Sequence, residues 1–441
     1  MIKIKKTTKP LKSSIASVLD CKSAVFIQTN GAKGEHYYFL IDFLESTISC
    51  WEVDVSEAKS SIQKQVMEKM NVEWKGYAIN YLNFSLMPHT AIAIGRYIYI
   101  TLINGNFIIQ LDRYSDQYHI IYNDKEPFEY YSSTNSYYND ELYFSKYNLF
   151  EKIETLMDPQ ISITNTLAKY NVKTRKFTNI SSFSERLTMH QTAVANYGSN
   201  IISVGICTSP KIPIPEDSHF NDPNFMKHVL EEGLNESCLI NYDVQTETYR
   251  RFTTTDCIAH IEFDLTNPDI SYVSSHNLGY YGSEFGNDIM SFGPGAVYKY
   301  DYRKHEILTR YTSEDFFRIT SHIPYQYQNK NYLAATVFPN QIHILNTDTM
   351  KLVKQIFVSK SNTQVDFSSG PYMFPKIGKT PYMVLPVTGK PYFFYGGLSG
   401  LKIYNFVEDQ ILGTINYNLW GKPLTAIGHP IIFESDQPLG R

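Results

Sequence analysis

One short phrase recurs seven times along this chain of 441 residues, and a chain built on such a repeat has few folds open to it. The phrase is an apolar strand ending in Tyr, Leu or Ile, then Asp or Asn, then a polar turn, then a second strand. It reads Ile41-Asp42, Leu111-Asp112, Tyr170-Asn171, Tyr242-Asp243, Tyr300-Asp301, Leu345-Asn346 and Tyr404-Asn405. The Asp or Asn positions lie 70, 59, 72, 58, 45 and 59 residues apart. Asp and Asn cap tight turns through their own side chains. The strand after the turn is charged and alternating, which suits an outer, solvent-facing strand.

Five stretches ahead of these phrases read as strand, turn, strand, with turns at Gly95, at Gly198 and Asn200, at Asn267-Pro268 and at Gly378. Inner hairpin plus outer hairpin makes a four-stranded propeller blade. The phrase at Asp42 lacks an inner strand of its own. The stretch Gly428 to Glu434 is an inner-type strand with no outer strands after it. Joining the two leaves no raw sheet edge. The expected fold is therefore all-β, a seven-bladed β-propeller closed by the C-terminal strand pairing with the N-terminal blade, with helical and loop insertions on one face.

A single domain spanning 1–441 is expected, with insertions at 54–76, 148–162, 209–236 and 277–296. Asp54 to Trp74 reads as an amphipathic helix, with Ile62, Val66 and Met70 on one face and Asp54 or Ser56 as cap. Asp222 to Gly233 reads as a second helix. Leu149 to Ile161 and Asn277 to Ala296 read as long loops.

Abundant Tyr (35) and Phe (26) against 19% charged residues agree with an all-β chain. A net charge of −4 gives no electrostatic footprint for nucleic acid. Five cysteines without CxxC spacing point to a reducing compartment. No apolar run is long enough to span a membrane, and no h-region follows Lys12. The expectation is a cytoplasmic protein without nucleic-acid or membrane partners.

The histidines carry the chemistry. His89, His190, His260, His322 and His429 each stand at or near the start of a presumed innermost strand. Innermost strands surround the central channel, so five such imidazoles would converge on one axis. Imidazole suits divalent transition metals, and Fe or Mn is the expected cofactor. Glu262 follows His260 by two residues, shares its strand face, and is placed to orient an imidazole. His276 is a further acid/base candidate.

The stretch His260 to His276, HIEFDLTNPDISYVSSH, resembles the blade phrase of the oligogalacturonate lyases. That resemblance implies a seven-bladed propeller that holds a metal through histidines and a glutamine and cleaves an acidic sugar by β-elimination. An axial metal held by histidines from several inner strands is similar to the site of the carotenoid oxygenases, which implies non-haem iron.

These readings lead to a metal-dependent enzyme, of lyase or oxygenase type, acting on a small organic or sugar-like substrate. The alternatives are a non-catalytic propeller scaffold binding protein or ligand at its rim, and a metal-free lyase or hydrolase with a channel histidine as base.

Overall fold

Each recurring Asp or Asn ends the third strand of a sheet, and its side chain caps the turn that follows. Asn346 Oδ1 accepts from the main-chain N–H groups of Asp348 (3.0 Å) and Thr349 (2.9 Å). Asn171, Asp243, Asp301 and Asn405 each accept the same two bonds, and Asp42 and Asp112 accept one of them. In six of the seven turns the residue four positions on takes a positive φ: Ser46, Arg175, Glu247, His305, Met350 and Asp409. The repeat seen in the sequence is thus a turn motif written into local hydrogen bonding.

The computed structural model describes residues 2–11, 23–31, 34–70, 75, 82, 86, 88–102, 104–122, 129–157, 162–186, 191–195, 200–207, 237–254, 257–276, 278–283, 286–291, 296–312, 318–338, 341–357, 384–387, 389–397, 400–417, 419–422, 424–427 and 431–434. Their strands form a ring of seven antiparallel blades. Blade 2 is Pro88–Ile94, Tyr97–Leu102, Phe107–Asp112 and Tyr118–Tyr122; blade 3 is Glu129–Tyr138, Glu141–Asn148, Ser162–Asn171 and Lys176–Arg186. Blade 4 is Gln191–Ala195, Ile201–Cys207, Ser237–Asp243 and Thr248–Thr254; blade 5 is Cys257–Phe263, Ile270–His276, Ala296–Asp301 and Glu306–Thr312. Blade 6 is Arg318–Tyr327, Lys330–Phe338, Gln341–Asn346 and Lys351–Phe357; blade 7 is Val384–Pro386, Tyr392–Gly397, Gly400–Asn405 and Gln410–Ile415.

Blade 1 contains both ends of the described chain. Its middle strands are Ser23–Gly31, His36–Asp42 and Thr47–Asp54. Leu424–Ile427 and Ile431–Glu434 both pair with Ser23–Gly31 on the inner side, and Ile432 lies opposite Val25. The expected closure is what the structure shows. One strand was not foreseen: Lys3–Pro10 adds to the outer edge of Thr47–Asp54, Lys3 facing Asp54 and Pro10 facing Thr47. Blade 1 therefore has a fifth layer.

The core lies in the seams between blades. Val25, Ile27 and Phe39 of blade 1 pack with Leu385, Phe394 and Ile403 of blade 7, and Phe43 stacks on Phe394 with centroids 5.2 Å apart. Burying such side chains is worth about 1.5–3 kcal/mol each, so ring closure is held by packing as well as by strand pairing.

The local elements differ in part from what the sequence predicts. The helix α1 runs Ser56–Lys69, with Ile62 and Val66 buried, and Asp54 Oδ1 accepts from Ser56 N at 3.0 Å. Leu149 to Ile161 is not all loop: Leu149–Met157 is a helix, α2, because Asn148 Oδ1 accepts from Phe150 N (2.9 Å) while Leu149 and Ile153 bury one face. Part of Asn277 to Ala296 is a hairpin, Leu278–Ser283 with Gly286–Ser291. In blade 7, Val384–Pro386 pairs with Tyr392–Gly397, and the strand expected ahead of Gly378 lies outside the described residues. The helix expected at 222–233 lies outside the described residues.

Candidate functional site

Strand register decides which histidines meet. In blade 5, His260 on the innermost strand faces Ser274; in blade 6, Ser321 faces Thr336 and His322 faces Ala335. Ser274 and Thr336 are equivalent, because Ile270 faces Asp301 and Tyr332 faces Asn346. His260 therefore matches Ser321, and His322 stands one step further along. In blade 2, Thr90 faces Thr101, and Tyr97 faces Asp112, which puts His89 one step earlier than His260. The three histidines do not share one repeat position, as the axial cluster requires.

A one-residue step turns a side chain to the other face of its strand. His260 and His322 consequently leave opposite faces of neighbouring blades and meet in the seam between them. Their ring centroids are 5.0 Å apart with planes at 80°. His322 Nε2 donates to the main-chain oxygen of Tyr272 at 2.8 Å. A carbonyl only accepts, so the proton sits on Nε2 and Nδ1 carries the lone pair; this Nδ1 is buried and makes no hydrogen bond. His260 Nε2 lies 2.9 Å from Glu262 Oε1, with Glu262 partly open to solvent. Burial holds His322 well below the ordinary histidine range, and the neighbouring His260 lowers it further.

The other expected site residues are placed less fully. His89 is the second residue of the inner strand of blade 2 and His276 ends the second strand of blade 5, both described by backbone alone. His190 and His429 lie outside the described residues. Among the described residues no three His, Cys, Asp or Glu side chains gather in a set fit to hold a metal ion.

A second feature was not anticipated. The outer strands of blades 5, 6 and 7 each carry a β-bulge at their third residue: Leu308, Val353 and Leu412 are the extra residues in pairings that run Ile307 to Thr309, Leu352 to Lys354 and Ile411 to Gly413. A bulge places two consecutive side chains on nearly the same side of a strand. Here both are apolar and exposed in every case, from 36% for Leu412 to 57% for Val353. Ile48, the blade 1 counterpart of Ile307, Leu352 and Ile411, is 0% exposed. Ile48 belongs to the apolar core between blades 1 and 7, and Lys3–Pro10 pairs beside it with Lys9 opposite. Blade 4 has no bulge there and offers Tyr249 followed by Arg250.

Lysines fix this rim. Lys299 Nζ of blade 5 donates to Thr347 O in the blade 6 turn at 2.9 Å, and Lys354 Nζ of blade 6 donates to Phe406 O in the blade 7 turn at 2.9 Å. Lys354 also pairs with Asp409 at 3.0 Å. The three apolar pairs therefore sit on blades tied turn to turn. The signal was legible as Ile-Leu, Leu-Val and Ile-Leu six and seven residues after the capping Asp or Asn, in strands read as simply alternating.

No helix among the described residues is long and apolar enough to cross a membrane. No protein-family model and no curated protein matches the chain. Among solved structures, the Dos1 propeller aligns with a TM-score of 0.44 at 12% identity, covering 75% of this chain and 70% of that one. The Cps50 (Swd1) β-propeller domain of Myceliophteria thermophila aligns with a TM-score of 0.43 at 9% identity, covering 74% and 86%. Raptor of Chaetomium thermophilum aligns with a TM-score of 0.42 at 10% identity, covering 73% of this chain and 23% of that one.

Proposed function

We propose that this chain is a protein-binding scaffold that holds the apolar face of a partner protein on the rim of blades 5 to 7. The observation that carries the reading is the bulged apolar pair, Ile307-Leu308, Leu352-Val353 and Ile411-Leu412, at one repeat position in three successive blades. Exposed large apolar side chains arranged together mark interaction surfaces more often than chance. The contrast with blade 1 supports it: there the same position is packed into the core and flanked by an added strand.

The test is a triple variant, Leu308→Glu, Val353→Glu and Leu412→Glu, compared with wild type in quantitative affinity purification from the source cells. All three side chains face solvent, so folding and melting temperature should hold. The reading expects a defined set of proteins retained by wild type and depleted at least tenfold by the variant. Equal recovery of the same proteins by both contradicts it.

A metal-dependent enzyme on a small organic or sugar-like substrate is the second reading, and the specific observation in its favour is the His260–His322 pair. For a metal-free lyase or hydrolase, His260 oriented by Glu262 is the base to assign. Metal analysis of protein prepared without chelator separates these two.

A further inference from the structure

Blade 1 holds its outermost strand by two lysines, each seated on a tryptophan. Lys6 Nζ donates to Arg113 O at 2.7 Å and to Ser115 O at 2.9 Å, and lies 4.8 Å from the centroid of the Trp51 ring. Lys9 Nζ donates to Leu419 O at 3.1 Å and lies 4.4 Å from the centroid of the Trp420 ring. Residues three apart on a strand leave opposite faces, so one lysine is read on each side of the blade. An indole face and a main-chain carbonyl together favour an ammonium group. Burial lowers the Lys6 ammonium from its ordinary value, while Asp112 and Asp116 support its charge. Two of the three tryptophans in the chain serve this one strand.

The rest of the strand's hold is mostly open to any extended segment. No residue of Lys3–Pro10 is buried, and its main-chain pairing with Thr47–Asp54 runs unbroken from Lys3 to Pro10. Thr47–Asp54 pairs without a bulge on its other side as well. The outer strands of blades 5, 6 and 7 are bulged instead, and a bulge spoils an edge for strand addition. From the two lysine seats flanking one regular edge, we propose that the outer edge of blade 1 is a docking site for an extended, Lys-x-x-Lys-bearing segment of a partner protein, which takes the place of Lys3–Pro10. Main-chain pairing gives such a segment its affinity, and the two tryptophan seats select it. The chain's own strand is a tethered competitor at an effective concentration of about millimolar, so the edge opens when that strand is loosened or outcompeted. This site uses blade 1 instead of the apolar pairs of blades 5 to 7 and does not rest on the scaffold reading.

The experiment follows, by fluorescence anisotropy, a labelled synthetic peptide with the sequence of residues 2–11, IKIKKTTKPL, added to the full chain. Lys6→Met loosens the resident strand and should bind the peptide about tenfold more tightly than wild type does, because the edge is open in more of the molecules. Lys9→Met loosens the other face, should act in the same direction, and serves if Lys6→Met does not fold. A peptide with methionine in place of Lys6 and Lys9 should bind at least tenfold more weakly than the parent. One with methionine in place of Lys3 and Lys5 has the same charge and should bind as the parent does. Thr7 lies opposite Cys50, so oxidation of Thr7→Cys locks the resident strand in place; binding should vanish in the oxidised protein and return with reductant. No binding of the peptide by either loosened variant at about millimolar concentration overturns the proposal. Equal binding of the two methionine peptides, or binding that the lock leaves unchanged, overturns it equally.

Discussion

Ile432 lies opposite Val25 in an antiparallel pairing that joins residues 431–434 to the first blade. Phe433 on the same strand lies under the Arg113 guanidinium of blade 2 at 4.6 Å from the ring centroid, so this strand ties blade 1 to its neighbour as well as completing it. Deleting residues from Gly428 onward should expose the part of that edge from Ser23 to Phe26, with the fully buried Val25. The expected product is insoluble or lacks a cooperative melt. A soluble truncation that unfolds cooperatively counts against closure by this strand.

The outer strand of blade 1 should matter in a graded way. Lys6 Nζ donates to Arg113 O (2.7 Å) and Ser115 O (2.9 Å) and sits 4.8 Å from the centroid of the Trp51 ring. Charge-assisted hydrogen bonds are worth about 1.5–3 kcal/mol each at best, and partial exposure reduces that. Lys6→Met should lower stability by about 1–2 kcal/mol in urea unfolding, while Lys5→Met, on the exposed face, should change it little. Equal effects of the two would remove the clasp role.

Turn capping predicts an ordering of substitutions. Asn346→Ala removes the acceptor of two main-chain bonds and one from Thr349 Oγ1, and should cost about 1–2 kcal/mol. Asn346→Asp keeps the acceptor and should stay within about 0.5 kcal/mol of wild type. Thermal or chemical unfolding of both variants decides it.

Much of this fold is legible because its signals are local. An Asp or Asn that caps its own turn needs nothing distant, so all seven outer hairpins can be found from residue order. Closure is legible by counting strands. Lys3–Pro10 is not, because its pairing is set by what the distant strand Thr47–Asp54 offers. The histidines show another limit. Spacing in the sequence places them near strand starts, but His260 directly follows the bulge residue Ala259 of blade 5, whereas His322 stands two residues after the equivalent bulge residue Thr320 of blade 6. One step turns an imidazole from one seam to another. The apolar pairs of the rim depend on bulges too, and alternation alone reads them as ordinary outer strand.

Acid should destabilise the protein through buried neutral histidines. Burial lowers His36 to about 3, with Lys59 adding to the effect, and lowers His322 well below 6.5. Unfolded, both titrate near 6.5. The unfolded state therefore binds more protons below that value, and stability present above pH 6.5 is lost as pH falls through it. The slope should be about 1.4 kcal/mol per pH unit for each histidine. Unfolding free energies at pH 7.5, 6 and 5 for wild type and His36→Gln should differ in slope by about that amount. Parallel profiles would show that His36 is not the neutral group the fold requires.

The scaffold reading is tested most directly by asking which part of the rim touches another protein in the cell. A photoreactive phenylalanine analogue placed at Val353 or Leu412, and separately at Thr178 on the outer strand of blade 3, reports contact at each position. Thr178 is exposed and lies in a strand without an exposed apolar pair. The prediction is a discrete heavier adduct, containing one recurring partner, from positions 353 and 412 and none from 178. Adducts of equal yield from all three positions, or none from 353 and 412, would contradict a docking surface on blades 5 to 7.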